Sequence, residues 1–429
     1  MKTGVLETLI LVTLLAMATY AETYSLKSFL AKTLEKSRDV ESESANLQKM
    51  QDSVEGSRSG FLPDVNATIQ YTTVGTRQNQ VNTYNQTVNG TSTKINLTQN
   101  LFNGLKDLNS LEAAKHSRDA QTYKLQEKRK SEIESALNIY FKLLQYQKDI
   151  ENQKQEIRLY EKNLAELKSR AQNGSARQTE VINLEATLAN SIIDLATSEN
   201  SLKLAQADAA NVVRVSDANT VFVSSNKLSF SYEQTKPLID KMDLNNRDEV
   251  RSLTSTVQSK ENNIKIQKGY YSPTLDLSGS YLVNSSDTTT NQNTYTAGVV
   301  LTIPFPVSVN KSSELAKART EKAIAEIELE KKKENLQKQR TQLIQALQNS
   351  VKQIELLKNA KTLNKANVDS LTRDHRSGQV SYSDVLNASI TYQKTVQKYD
   401  RAVLDFELNC YQALLWSSDV DSVIASIGE

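Results

Sequence analysis

The chain has 429 residues, with 52 Lys and Arg against 50 Asp and Glu, a net charge of +2 and a mean hydropathy of -0.52. So even a balance excludes the basic footprint of a nucleic-acid binder. Only 6% of residues are aromatic and five are Pro, which suits long solvated helices better than a compact core.

At the N-terminus, Lys2 precedes a mainly apolar run from Leu9 to Met17, and small residues lead through Thr19 to Ala21. The run is too short to span a bilayer and reads as a secretory signal peptide over residues 1–21, with Glu22 as the mature start. No other segment approaches eighteen consecutive apolar residues, so entry into a membrane requires strands.

The mature chain reads as two repeats, residues 22–217 and 218–429. In the first, Gly60-Phe61-Leu62-Pro63 leads into alternating strands at about 64–74 and 93–102, separated by a polar loop from Gly75 to Thr93. Leu101-Phe102-Asn103-Gly104 closes them. Neither Gly nor Pro occurs between Gly104 and Gly174, which predicts a long helix over about 105–173 and a returning helix over about 175–215. In the second repeat, Gly269-Tyr270-Tyr271-Ser272-Pro273 leads into strands at about 274–284 and 294–304, with a loop from Ser285 to Asn293. Helices over about 308–377 and 380–417 follow, turning at Gly378. An uninterrupted helix of this length reaches on the order of 100 Å.

Val65, Ala67, Ile69 and Tyr71 alternate with polar neighbours, as do Leu275, Leu277, Tyr281 and Val283. A period of two with one apolar face is a half-buried strand, and about ten residues suffice for a tilted strand to cross a bilayer. An ordinary antiparallel sheet packed on helices shares this pattern. The Asn- and Thr-rich loops favour the membrane reading, as do the aromatics gathered at strand ends, among them Phe61, Tyr71, Tyr270, Tyr295 and Phe305. Four strands cannot close a barrel alone and an open edge cannot face lipid, so a membrane reading requires an oligomer.

The long runs carry heptads. Ala136, Ile139, Leu143, Tyr146, Ile150, Gln153, Ile157, Tyr160, Leu164, Leu167 and Ala171 form a strict seam. At a shift of 204 residues it recurs as Leu343, Leu347, Ile354, Leu357, Val368 and Leu371, with polar gaps at Ser350, Lys361 and Asn364. Val181, Leu184, Leu188, Ile192, Leu195 and Leu202 are matched likewise by Val385, Ala388, Tyr392, Val396, Tyr399 and Phe406. A partial second seam adds Leu137, Leu144, Ile344 and Val351. Two adjacent seams suit the wall of a helical cylinder; a simple coiled coil is the alternative for either half.

These features resemble the outer membrane efflux protein family, the TolC-like channels of Gram-negative bacteria. The resemblance rests on Gly60-Phe61-Leu62-Pro63, on Gln99-Asn100-Leu101-Phe102-Asn103-Gly104, on the segments opening at Gly174 and Gly378, and on their repeats; it spans about Tyr24 to Trp416. It implies an α+β membrane protein: a two-repeat protomer (helix-strand-strand-long helix-helix) that trimerises into a 12-stranded β-barrel continued by a 12-helix α-barrel tunnel. It further implies an outer-membrane location with a long periplasmic extension, and an exit duct without cofactor or catalytic residues. Such a duct works with a periplasmic adaptor protein and an inner-membrane transporter, in tripartite efflux or type I secretion. The family narrows its periplasmic entrance just after the helix-turn glycines Gly174 and Gly378. By motif, those positions are Asp384 and Asn387 in the second half and Glu180 and Asn183 in the first. In a threefold channel each carboxylate becomes a ring of three that attracts cations. The bland alternative is that Asp384 merely starts a helix, where its charge suits the dipole.

Arg177, Arg373 and Arg376 flank the same tip and are candidates to hold it shut through charge pairs. His116 and His375, the only two histidines, have no second His or Cys nearby, which argues against a metal site; His375 belongs to the tip. Cys410, the only cysteine, forbids an intrachain disulfide and reads as a small buried apolar residue, and Trp416 as a packing anchor. Residues Ser216 to Pro237, with the tail after Trp416, are candidates for a belt around the tunnel. A secreted coiled-coil spacer without a lumen is the competing function. An exported enzyme is a distant third, since no P-loop, nucleophile elbow or paired-carboxylate motif occurs.

Overall fold

A computed structural model describes residues 23–77, 85–215, 222–223, 237, 243–286, 289–305 and 309–427. The signal peptide lies outside them, as does most of Ser216 to Pro237. The elements run β1 (Thr23–Tyr24), α1 (Leu26–Lys36), α2 (Arg38–Arg58), β2 (Asp64–Arg77), β3 (Asn85–Phe102), α3 (Lys106–Gln172), α4 (Gln178–Val213), β4 (Phe222–Val223), α5 (Asp248–Gly269), β5 (Thr274–Ser286), β6 (Thr289–Thr302), α6 (Val309–Arg376), α7 (Tyr382–Ser417) and α8 (Val420–Ser426). Free of Gly and Pro, α3 and α6 run unbroken for 67 and 68 residues. Contacts gather into two units, each drawing on both repeats: Met1–Glu41, Gln126–Arg247 and Asn335–Glu429 form one, and Ser42–Leu125 with Asp248–Glu334 the other.

The second unit holds an antiparallel sheet in the order β2-β3-β5-β6. Its register sets Ala67, Ile95, Tyr281 and Tyr295 in one row, and Val65, Leu97, Gly279 and Ala297 in another on the same face. The opposite face carries Asn66, Asn96, Ser280 and Thr296. The apolar face is bare: Ile69 is 75% and Tyr295 85% exposed. β2 and β6 pair on one side only among the described residues. The strands outrun the sequence reading. Residues 85–93 and 285–286, read as loop, continue the ladders, with Val74 opposite Val88 and Gly90 opposite Ser286. Thr and Asn there lack an apolar alternation to read, although Thr suits a pleated strand.

Helices of this unit are joined by small polar contacts. Ser259 Oγ donates to the Ala113 carbonyl at 3.0 Å and Ser252 Oγ to that of Ala120 at 2.8 Å, tying α5 to α3. Lys260 meets Glu321 at 2.8 Å between α5 and α6, and Gln121 Nε2 of α3 donates to Glu43 of α2 at 2.5 Å. Where β3 hands over to α3, Gly104 adopts φ +70, and a Cβ there would lie 2.5 Å from Ser272 Cβ and 2.7 Å from the Gly269 oxygen. Gly104 and Gly269 therefore let two backbones touch. Gly104 closes the strands of the first repeat and Gly269 opens those of the second.

In the first unit the heptad seam is the packing seam. Ala136, Leu143, Ile150, Ile157, Tyr160 and Leu167 are buried, and the intervening seam positions are half-buried. Leu137 and Leu144, the side stripe, are buried in a cluster with Phe29 and Leu30 of α1, Tyr411 and Leu415 of α7, and Val420 and Val423 of α8. The tail after Trp416 thus joins α1 to cover the side stripe. Of the segment Ser216 to Pro237, the described Phe222–Val223 pairs in parallel with Thr23–Tyr24. One seam residue departs: Ile192 is 49% exposed, while Leu188 before it and Leu195 and Leu202 after it are half-buried.

The polar gaps in the α6 seam are filled from α7. Asn409 donates to Ser350 Oγ at 3.2 Å, Asn364 to Thr395 Oγ1 at 2.9 Å, and Lys361 lies 4.8 Å from the Tyr399 ring centroid. α3 is tied to α7 in the same way. Gln145 donates to Asp405 at 2.7 Å, Arg401 pairs with Asp149 at 2.6 Å, and Asn152 donates to Asp400 at 2.8 Å. Toward α4, Lys154 meets Glu199 and Lys168 meets Glu185.

One seam contact carries a cost. Tyr160 donates to Glu156 Oε1 at 2.7 Å, and burial raises the Glu156 carboxyl above its ordinary value. A carboxyl raised in the folded state weakens the fold while ionised, and that loss fades as pH falls through the folded value. Glu156→Gln keeps an acceptor for Tyr160. It is expected to raise the denaturant midpoint at neutral pH, with the gain gone below about pH 4, where the carboxyl is protonated in both states. An equal gain at both pH values would refute this account.

Candidate functional site at the helix tips

Both turns end their long helix the same way. Gly174 has φ +70 and Gly378 φ +79, conformations that an L side chain rarely adopts. Ser175 N donates to the Arg170 carbonyl and Gly174 N to that of Ala171; Gln379 N and Gly378 N donate likewise to Asp374 and His375. These paired bonds are a Schellman motif, repeated at the 204-residue shift.

The returning helices also begin alike. Ser381 caps α7, and Asp384 Oδ2 accepts from Ser381 N at 3.1 Å and Ser381 Oγ at 2.7 Å. Glu180 Oε2 accepts from Arg177 N at 3.3 Å at the start of α4. Asp384 therefore does start a helix, as the bland alternative had it. Its side chain is nonetheless exposed, and Oδ1 bonds to no described residue. Asn387 and Asn183 are exposed one turn further on. Beyond them Thr391 Oγ1 donates to the Asn387 carbonyl and Thr187 Oγ1 to that of Asn183, both at 2.9 Å. All four predicted positions thus fall on two matching polar stripes, acid, Asn, Thr, one on each returning helix.

Inside the tip, Tyr160, Leu167, Val181, Leu184, Tyr382 and Leu386 form a small buried core shared by α3, α4 and α7. Burial pushes the Tyr382 hydroxyl up to about 12. Arg177, Arg373 and Arg376 make no ion pair with any described residue, contrary to the charge-pair expectation; they stand at a solvated tip where holding a long side chain costs more than the pair returns. The cation that is engaged went unnoticed in sequence: Arg170 Nη1 lies 2.9 Å from His375 Nε2. Cys410 is fully buried, its thiol pushed up to about 12 by desolvation. Trp416 packs under Arg247 at 4.3 Å. Among the described residues no cluster of His, Cys, Asp and Glu is arranged to hold a metal, and no helix is long and apolar enough to cross a membrane.

The described residues thus combine a sheet with one bare apolar face and long paired helices bearing duplicated polar stripes at their turns. The sequence profile of the outer membrane efflux proteins matches residues 29–212 and 240–413, and the chain belongs to that family. It is a TolC-like transport protein of the outer membrane. Among solved structures, it is similar to the outer membrane protein VceC of Vibrio cholerae at 15% identity and TM-score 0.78, covering 91% of this chain and 95% of that one. CusC, described in terms of transmembrane channel formation, gives 16%, 0.75, 92% and 93%. The open state of the Neisseria gonorrhoeae MtrE outer membrane channel gives 14%, 0.74, 91% and 88%. Among curated proteins, none matches the sequence.

Proposed function

We propose that the protein is the exit duct of a tripartite efflux or type I secretion assembly, conducting substrates passively from an inner-membrane transporter to the exterior. Three copies join β6 of one to β2 of the next and close a twelve-stranded barrel, continued through the periplasm by a twelve-helix tunnel that docks a periplasmic adaptor protein. The observation that carries this reading is the sheet itself: one bare apolar face and two edges unpaired among the described residues, which hydrocarbon does not tolerate in a lone chain. Exposed apolar residues on the helices support it, among them Ile193 and Leu204 on α4 and Leu356 and Leu363 on α6.

Asp384, Asn387, Glu180 and Asn183 then line the entrance, the free Oδ1 of Asp384 contributing to a ring of three. Single-channel recording on the purified protein in a planar bilayer tests this. Asp384→Ala is expected to change the conductance and to lower the cation preference, because the ring of three carboxylates that attracts cations into a narrow, poorly hydrated passage is gone. Unchanged conductance and selectivity would remove the ring; absence of any conducting species would remove the duct.

A further inference from the structure

The tip holds one device that the duplication does not repeat. His375 Nε2 faces Arg170 Nη1 at 2.9 Å, while Nδ1 lies 3.0 Å from the Val380 carbonyl. A guanidinium only donates and a carbonyl only accepts, so both contacts are hydrogen bonds only if Nδ1 carries the proton and Nε2 carries none. The neutral ring thereby ties the end of α3 to the turn between α6 and α7. At the equivalent places in the first repeat stand Ala171, Ala176 and Gln178, where the second has His375, Val380 and Tyr382.

We propose that the Arg170–His375–Val380 bridge is a proton-sensitive latch on the second helix turn. Protonating Nε2 sets two donors and two positive charges face to face, which breaks the bond to Arg170 and removes the polar tie between α3 and the turn. The surroundings leave the imidazolium little to replace it. From α3, Lys162 and Glu166 line the same groove; α6 brings Arg376, and Asp374 beside His375; α7 brings the Tyr382 ring, 5.5 Å away and neutral, while Asp384 is held by Ser381. Glu166 is the one carboxylate that lines that groove, and among the described residues it makes no hydrogen bond to His375. Acidification therefore loosens one turn of the pair and leaves the other unchanged.

The latch adds to the duct reading, but its test does not need conduction. A nitroxide on Gln379→Cys reports the turn in the full-length protein, since Gln379 is exposed and buried Cys410 stays unlabelled. Between about pH 8 and about pH 5, the immobilised component of the spectrum is expected to be lost. Arg170→Met, which keeps the length of the side chain and removes every donor, is expected to show that loss at both pH values. His375→Gln, which keeps an acceptor for Arg170, is expected to keep the immobilised component at both, and His116→Gln to respond like the parent. A parent spectrum indifferent to pH, or a pH response surviving in His375→Gln, overturns the latch; a channel that fails to conduct while these spectra behave as stated overturns only the duct.

Discussion

Gly104→Ala is expected to cost ~4 kcal/mol or more and to empty the outer membrane of folded protein. Two penalties coincide there. The positive φ alone costs an L residue about 1–2 kcal/mol. The added Cβ would also meet Ser272 Cβ at 2.5 Å and the Gly269 oxygen at 2.7 Å, and that oxygen is pinned by the Ser272 N–H at 3.0 Å. Relief requires moving the start of β5 away from α3, at the point where the sheet is set. Gly378→Ala is the matched control: it has φ +79 with nothing within 4 Å of a new Cβ, so only the backbone term of about 1–2 kcal/mol applies. Denaturant midpoints of the two variants, with the amount recovered from the outer membrane, check the contrast. Equal losses would show that close approach at the β3–α3 junction is unimportant.

The second large effect is expected at Arg401. The Asp149 side chain is 7% exposed and takes 2.6 Å and 3.2 Å contacts from Arg401, whose own side chain is 57% exposed. Removing one partner strands a buried charge, which costs about 3–5 kcal/mol in a closed interior; the exposure of Arg401 lets water in and reduces this to about 2 kcal/mol. Arg401→Ala is therefore expected to lower stability by that amount. Adding Asp149→Ala to Arg401→Ala is expected to restore part of it, since the stranded carboxylate is gone. A double variant less stable than Arg401→Ala would mean that Asp149 is satisfied without its arginine.

What the chain revealed in advance follows from how local each cause is. Gly174 and Gly378 were readable as turns because a left-handed cap is a demand of a single residue, and both fulfil it. The heptads were readable because packing against one neighbour imposes one period. Ser350, Lys361 and Asn364 looked like breaks in that period, yet each sits on the seam, its polar group matched by Asn409, Tyr399 or Thr395. Those partners lie on another helix, and no spacing within α6 discloses them. Arg170 and His375 escaped notice for the same reason, being 205 residues apart. Arg177, Arg373 and Arg376 were nearer in sequence and more conspicuous, but nearness at a solvated tip does not make a bond. The polar stripes at the starts of α4 and α7 were legible because their pattern is written twice, at Glu180 and Asn183 and again at Asp384 and Asn387.

The ties along α7 restrict how the first unit can rearrange. Four residues up α3, from Gln145 to Asp149, correspond to four down α7, from Asp405 to Arg401, and the Ser350 and Asn364 contacts keep equal pace along α6. The three helices therefore work like a toothed rack. Sliding by one turn would disengage every tooth together, while swinging a free end disengages only the last. Motion of this protein is accordingly expected to be a splaying of ends and not a telescoping of shafts.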